Sequence, residues 1–415
     1  MRRYKNPVLL TLLYTGFSFA FLYPFFLKIN LLLGPPEDNQ MFVWNIWWFK
    51  YALMHLKISP FFTNYLFYPQ GESLVFHTLS PLNCVIGLAL QTVFNTTITY
   101  NLLILSTFII GALGMFYLGK QLGLGDIAAF FAGLIFSFSP FHLAHAAHHL
   151  NISSIHLLPW LLLMLLKYTE KRQIKHIIIA SLILAANFYY SYYIFLFSII
   201  LISPLAFFKA DRQSGQPGYI YFKPVLMTML FGAILALPLL IPMAIQTVSG
   251  PFVKMTGHNT CVVDAVGILF PHRYHWTKPS VLNYLINTAY KGNYWESAAF
   301  AGYFVLPVAI WAICKIRFHL KNYLLLIGII GLILSFGTNL TIFGRQVPFL
   351  KMPFYLFENI PGLSAARSPS RFIVLFYFSL ALFAAFGIDK YLNYIKLNKN
   401  KIYFYAAVSI VALFI

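Results

Sequence analysis

Long apolar runs separated by short basic loops constrain this chain more than any other feature. They fall at about 7–27, 101–119, 126–143, 153–167, 175–189, 192–208, 224–243, 298–314, 322–339, 371–388 and 402–415. Apolar segments of this kind satisfy their backbone inside a bilayer as helices or as closed barrels, and barrels show short alternating segments instead. Of the 415 residues, 60% are hydrophobic and 9% are charged, against roughly 25% charged in a soluble domain. The sequence therefore predicts an all-α polytopic membrane protein with about 11 transmembrane helices in one domain over 1–415, and it excludes a water-soluble enzyme and a disordered chain. The last run breaks off at VALFI, which leaves room for a truncated count.

Basic residues set the expected orientation. The stretch 175–208 is too long for one helix and divides at NFYYSYY, whereas 81–97 begins at Pro81 and carries Asn83, Gln91 and Asn95. If 81–97 does not cross, 18 of the 29 Lys and Arg share a side with the N-terminus, and if it crosses the count reverses. The positive-inside rule favours the first arrangement. The expectation is a multi-pass plasma-membrane protein with a cytoplasmic N-terminus, a juxtamembrane 81–97 segment and outer loops at about 28–100, 244–297 and 341–370. The net charge of +19 fits loops facing anionic lipid or a site for an anionic substrate. No nucleic-acid signature accompanies it. Cys84, Cys261 and Cys314 are too scattered for a disulfide framework or a zinc site.

Three segments carry candidate chemistry. In GPPEDNQMFVWNIWWFKYAL, Glu37 and Asp38 follow the first span and precede Trp44, Trp47 and Trp48. A carboxylate there could act as a general base beside a lipid-borne substrate, although a hydrated loop with an interfacial aromatic belt would read the same way. In SPFHLAHAAHHLNISSIHLLPW, His142, His145 and His149 are spaced for one helix face. His145 and His149 could donate to a phosphate or ligate a metal, but no HExxH pattern or neighbouring carboxylate completes a metal set. In NIPGLSAARSPSRFIVLF, Arg367 and Arg371 precede a span at the side where positive charge is not topologically favoured. Guanidiniums grip phosphate bidentately, and the alternative is anchoring to headgroups. Lys351 is a weaker candidate, and Glu296 is expected to open the span at 298 and favour its helix N-terminus. Nucleotide, redox and haem motifs are absent, so no cofactor and no dedicated metal are expected.

Together these residues resemble a family. EDNQMF in a first outer loop, a re-entrant stretch and many short-looped helices are similar to the GT-C superfamily of integral membrane glycosyltransferases, with SFSPFHLAHAAHHLN similar to the outer end of their third helix. ESAAFAGYFVLPVAIWA, LSFGTNL and PGLSAARSPSRF look like the YfhO-like branch. The resemblance implies inverting transfer of a sugar from a polyprenyl-phosphate carrier to a lipid, glycan or protein acceptor on the non-cytoplasmic face, a cell-envelope reaction. Asp38 would be the base, with Glu37 as the alternative, and Arg367 and Arg371 would hold the lipid phosphate. His145 and His149 would line the substrate cavity, with Glu296 nearby. An inverting displacement needs one base only, unlike the carboxylate pair of a glycosidase. Two rival readings stay open at this point. One is a transporter or flippase of lipid-linked saccharides, which lacks support from inverted repeats or intramembrane charges. The other is an acyltransferase, which would use a histidine base.

Overall fold

A computed structural model describes residues 6–23, 28–209, 219–249, 261–271, 295–357, 360 and 366–397. The predicted span 402–415 and most of the loop 244–297 lie outside these residues. The chain divides into two compact units, each assembled from segments discontinuous in sequence. The first comprises Met1–Leu113, His145–Ile199 and Phe222–Val253, and the second Gly114–Ala144, Ile200–Tyr221 and Lys254–Ile415.

Among the described residues, ten of the expected runs coincide with helices. These are α1 (Pro7–Phe21), α4 (Thr96–Gln121), α5 (Asp126–Ser137), α8 (Leu158–Lys171), α9 (Lys175–Tyr190), α10 (Tyr192–Ile202), α11 (Phe222–Ser249), α12 (Val305–Lys315), α13 (Lys321–Ser335) and α14 (Ile373–Leu397). Shorter helices are α2 (Asp38–Tyr51), α3 (Pro81–Leu90), α6 (Pro140–Ala146) and α7 (Leu150–Ser153). Four helical stretches, 96–121, 150–171, 222–248 and 369–395, are long and apolar enough to cross a bilayer, and the bent pair α5–α6 makes a fifth. The remaining helices are shorter than a straight span, so the described residues do not establish a count of eleven.

One expected span is broken, and the segment expected to lie at the membrane surface is short. The run 126–143 breaks between α5 and α6 with a bend of 47°, because Pro140 starts a new helix and the residue before a proline disfavours helical geometry. The 81–97 segment folds as α3, whose ten residues span about 15 Å, half of a hydrocarbon core of about 30 Å.

In the first unit, α9 lies against α8, α11 and α3. Gly232 allows close approach, since a Cβ there would sit 2.7 Å from Leu184. Phe188, Ala236 and Leu239 form a buried cluster covered by Phe61, Val75 and Met243. In the second unit, α14 is buried over most of its length against α5, α12 and α13. Gly331 and Gly387 give it room, each leaving less than 3 Å for a Cβ against Leu375 and Val308 respectively.

Two small antiparallel pairs complete the units. β1 (Phe62–Thr63) pairs with β2 (Glu72–Ser73), and β3 (Asn339–Ile342) pairs with β4 (Arg345–Lys351). The β3–β4 turn has positive φ at Phe343 and Gly344, as a tight two-residue hairpin requires. The buried Asp264 carboxylate accepts from the backbone N–H groups of Val266, Phe343 and Gly344 at 2.9, 3.1 and 2.6 Å. Burial still holds its carboxyl above the ordinary range, against the opposite pull of those three donors.

Candidate functional site

In the first unit, the chain between α1 and α2 makes a sharp turn at Gly34-Pro35-Pro36 and delivers Glu37 and Asp38 to the start of α2. Gly34 has φ +84°, and a Cβ on it would lie 2.1 Å from the carbonyl oxygen of Ala147. That turn therefore touches the backbone of the histidine segment directly. Asn39, fully buried, joins the same two strands of chain. Its amide donates to the carbonyls of Leu33, Pro35 and Ala147 at 2.8, 2.9 and 3.2 Å, and its oxygen accepts from the Glu37 N–H at 2.9 Å.

Asp38 is the first residue of α2, where the helix dipole favours a carboxylate. Its Oδ2 lies 3.1 Å from His149 Nε2. The other ring nitrogen of His149 lies 3.1 Å from His145 Nδ1. With Nε2 of His149 protonated, its Nδ1 accepts from the Nδ1–H of buried His145, which gives a three-membered chain from Asp38 inward. Glu37 has a different partner: its Oε2 lies 3.2 Å from Nδ1 of buried His148. Burial holds the His148 imidazole below its ordinary range, and the Glu37 carboxylate pulls the other way. Both carboxylates are more than half exposed, so each meets solvent on the side away from its histidine.

The structure brings Asp38, Glu37, His145 and His149 together, but not by the shared helix face that the histidine spacing suggests. α6 ends at Ala146, and His149 returns to His145 because its N–H bonds the His145 carbonyl at 2.7 Å. His142 leaves the set: its buried ring bonds the carbonyl of Ser137 at 2.7 Å. His156 packs against Tyr190 with ring centroids 5.0 Å apart. Further along α2, Trp44 stacks on Trp48 at 5.8 Å and Trp47 on Tyr51 at 5.1 Å. Trp48 Nε1 donates to the Pro60 carbonyl at 3.0 Å, which ties the helix to the loop that follows it.

The other expected residues lie in the second unit. Glu296 does not open a helix. α12 begins only at Val305, because Gly302 turns the chain with φ +83° and the Ala301 N–H is held by the Ile268 carbonyl. The Glu296 carboxylate is instead buried against Arg371, whose Nε donates to both of its oxygens at 3.0 and 3.1 Å and whose terminal nitrogen completes a bidentate pair. Ser370 Oγ donates to the same carboxylate at 3.3 Å. Arg371 lies in a tight turn, Pro369–Phe372, that leads into α14, and Arg367 just before it is exposed. Lys351 is exposed, with its ammonium 5.5 Å from the Tyr355 ring.

Sequence reasoning singled out the charged members but missed Gly34 and Asn39. GPP was a turn signal for the first. Nothing in the local pattern marked the second.

Replacing Gly34 by Ala is expected to cost about 1–2 kcal/mol for the backbone conformation alone, before the clash with Ala147. Gly16→Ala, in α1 with nothing within 4 Å of the new methyl, should gain about 0.5–1 kcal/mol from helix propensity. Unfolding of the two variants in detergent checks this, and equal stabilities would contradict the close approach at residue 34.

The chain was compared with known proteins. A family described as a 6-pyruvoyl-tetrahydropterin synthase related domain, a membrane protein, matches residues 79–352. No curated protein matches the sequence. Among solved structures, the archaeal oligosaccharyltransferase AglB from Archaeoglobus fulgidus, in complex with an inhibitory peptide and a dolichol-phosphate, is similar with a TM-score of 0.55 and 11% identity. The match covers 97% of this chain and 53% of that one, so the chain spans about half the length of the archaeal protein. At that identity the likeness is one of fold alone.

Proposed function

The chain belongs to the family of 6-pyruvoyl-tetrahydropterin synthase related membrane proteins, and from that premise we propose that it is an integral membrane glycosyltransferase of the GT-C type. It transfers a hexosyl or pentosyl unit from a polyprenyl-phosphate carrier to a lipid, glycan or protein acceptor at the non-cytoplasmic face of the plasma membrane. The motifs ESAAFAGYF and PGLSAARSPSRF support the YfhO-like branch within that superfamily.

The observation that carries the reading is Asp38, exposed at the start of α2 and backed by His149 and His145. Asp38 removes the proton of the acceptor hydroxyl as the oxygen attacks the anomeric carbon. The glycosidic carbon–phosphate oxygen bond breaks with inversion, and the phosphate leaves on its lipid. His149 holds the carboxylate in one orientation, and His145 fixes the tautomer of His149. Glu37, engaged with His148, is the alternative base. No cofactor is part of the step.

Arg367 is the exposed guanidinium assigned to the lipid phosphate. Arg371, joined to Glu296, holds the turn that bears it. The neighbour of this fold was solved with a dolichol-phosphate, which supports a lipid-linked donor. The test is transfer of radiolabelled sugar from a panel of polyprenyl-phosphate sugars by the purified protein. Turnover is expected with at least one donor, and Arg367→Ala should raise the donor KM with little effect on kcat. No turnover with any donor, together with saccharide-lipid translocation in vesicles, would replace this reading with the flippase.

A further inference from the structure

A cleft of about 500 Å³ in the second unit is lined by none of the candidate site residues. It is bounded by the end of the α10 region, at Phe208 and Lys209, and by the loop from α12 into α13, with Arg317, Phe318, His319 and Lys321. Three basic side chains, Lys209, Arg317 and Lys321, share this small volume, and no carboxylate is among the described residues that line it. Such a cluster is self-repulsive, and an anion between the charges would relieve it.

The walls are fixed by contacts that do not use the cations. The Phe318 ring stacks on Phe386 of α14, with centroids 3.7 Å apart. The Tyr323 hydroxyl, in the first turn of α13, donates to the Leu201 carbonyl of α10. His319 Nε2 meets the Tyr221 hydroxyl at 2.8 Å. Leu320 precedes α13 with φ +64° and no side-chain cap, so the positive end of that helix opens beside Lys321. The cleft is thus pre-formed, and it adds a helix terminus to the three charges.

Its position in the unit bears on what supplies the anion. Phe386 lies toward the C-terminal end of α14, far from Arg371 at the other end. At the same end the Gly125 N–H bonds Asp389 at 2.9 Å and Lys120 pairs with Asp126 at 2.6 Å. Phe207, next to the cleft, is 70% exposed and offers an apolar surface beside the charges.

We propose that this cleft binds a phosphate group, presented by an anionic phospholipid or by a soluble phosphoester. The full-length protein in neutral detergent would be titrated with lysophosphatidylglycerol, lysophosphatidylcholine and inorganic phosphate, beside the double variant Arg317→Gln/Lys321→Gln. A basic residue near an anionic headgroup contributes roughly a fivefold effect, so the double variant should bind lysophosphatidylglycerol about 25-fold more weakly. The thermal midpoint without ligand serves as the folding control, and Lys209→Gln, at an exposed position outside the helices, is the second variant. Weak binding of the choline lipid and no competition by inorganic phosphate would assign a lipid source. Competition by inorganic phosphate at similar affinity would assign a soluble one. Equal binding of lysophosphatidylglycerol by wild type and both variants, or equal binding of the two lysolipids by the wild type, would overturn the proposal.

Discussion

Asp38→Asn is expected to lower sugar transfer by about 10²–10⁴-fold, the usual contribution of a positioned general base. The substitution keeps the size of the side chain and one acceptor oxygen, so the contact with His149 and the start of α2 should survive. The loss should therefore appear in kcat, with donor affinity nearly unchanged. Glu37→Gln supplies the contrast, because Glu37 is engaged with His148 and not with the His149–His145 chain. Loss in the first variant and retention in the second would assign the base to Asp38. The opposite pattern would move it to Glu37. Unchanged kcat in both would remove the α2 carboxylates from the mechanism and with them the main support for a transferase. His149→Gln should fall between these limits, since it orients the base without replacing it.

Glu296→Gln is expected to destabilise the protein by about 3–5 kcal/mol, the cost of leaving one member of a buried ion pair uncompensated. The side chain of Glu296 is 3% exposed and that of Arg371 13%, so water cannot take over the lost partner. Replacing both, with Arg371→Met in the Glu296→Gln background, should recover part of the loss, because the pair itself has paid its desolvation cost in the wild type. Denaturant unfolding in a mild detergent would measure both variants beside the wild type. A loss below about 1 kcal/mol in the single variant, the range of exposed pairs, would mean that the carboxylate and guanidinium are not desolvated together. The double variant also separates stability from substrate binding. If Arg371 acts through the turn it holds, donor affinity should follow whether the turn is kept and not the charge at 371.

The sequence conveyed the helices well, because burial in a bilayer demands long apolar runs and leaves little freedom in how they fold. It marked the carboxylates at 37 and 38 and the histidines at 145 and 149 as two separate local clusters, and their meeting across about 110 residues has no local signal. It said less wherever the decisive contact is distant in the chain. Glu296 and Arg371 were each singled out, yet their pairing across 75 residues has no local signature. The same holds for Asp264, which binds the hairpin turn at Phe343 and Gly344 about 80 residues on. The break before Pro140 was legible in the proline itself, but a continuous apolar run masked it. The interleaving of the two units depends on which helices pack together, and hydropathy does not carry that information.

The Asn39 amide reaches the carbonyl of Ala147, 108 residues further along the chain. During synthesis, Asp38 is made long before the segment that orients it. A nascent chain that has not yet produced His145–His149 holds the carboxylate but neither of its imidazole partners, nor the backbone against which Gly34 packs. Closing so long a loop costs entropy that grows only slowly with its length, so extra residues between α2 and α6 would disturb the closure little. The arrangement is thus incomplete in every truncated product that ends before residue 149.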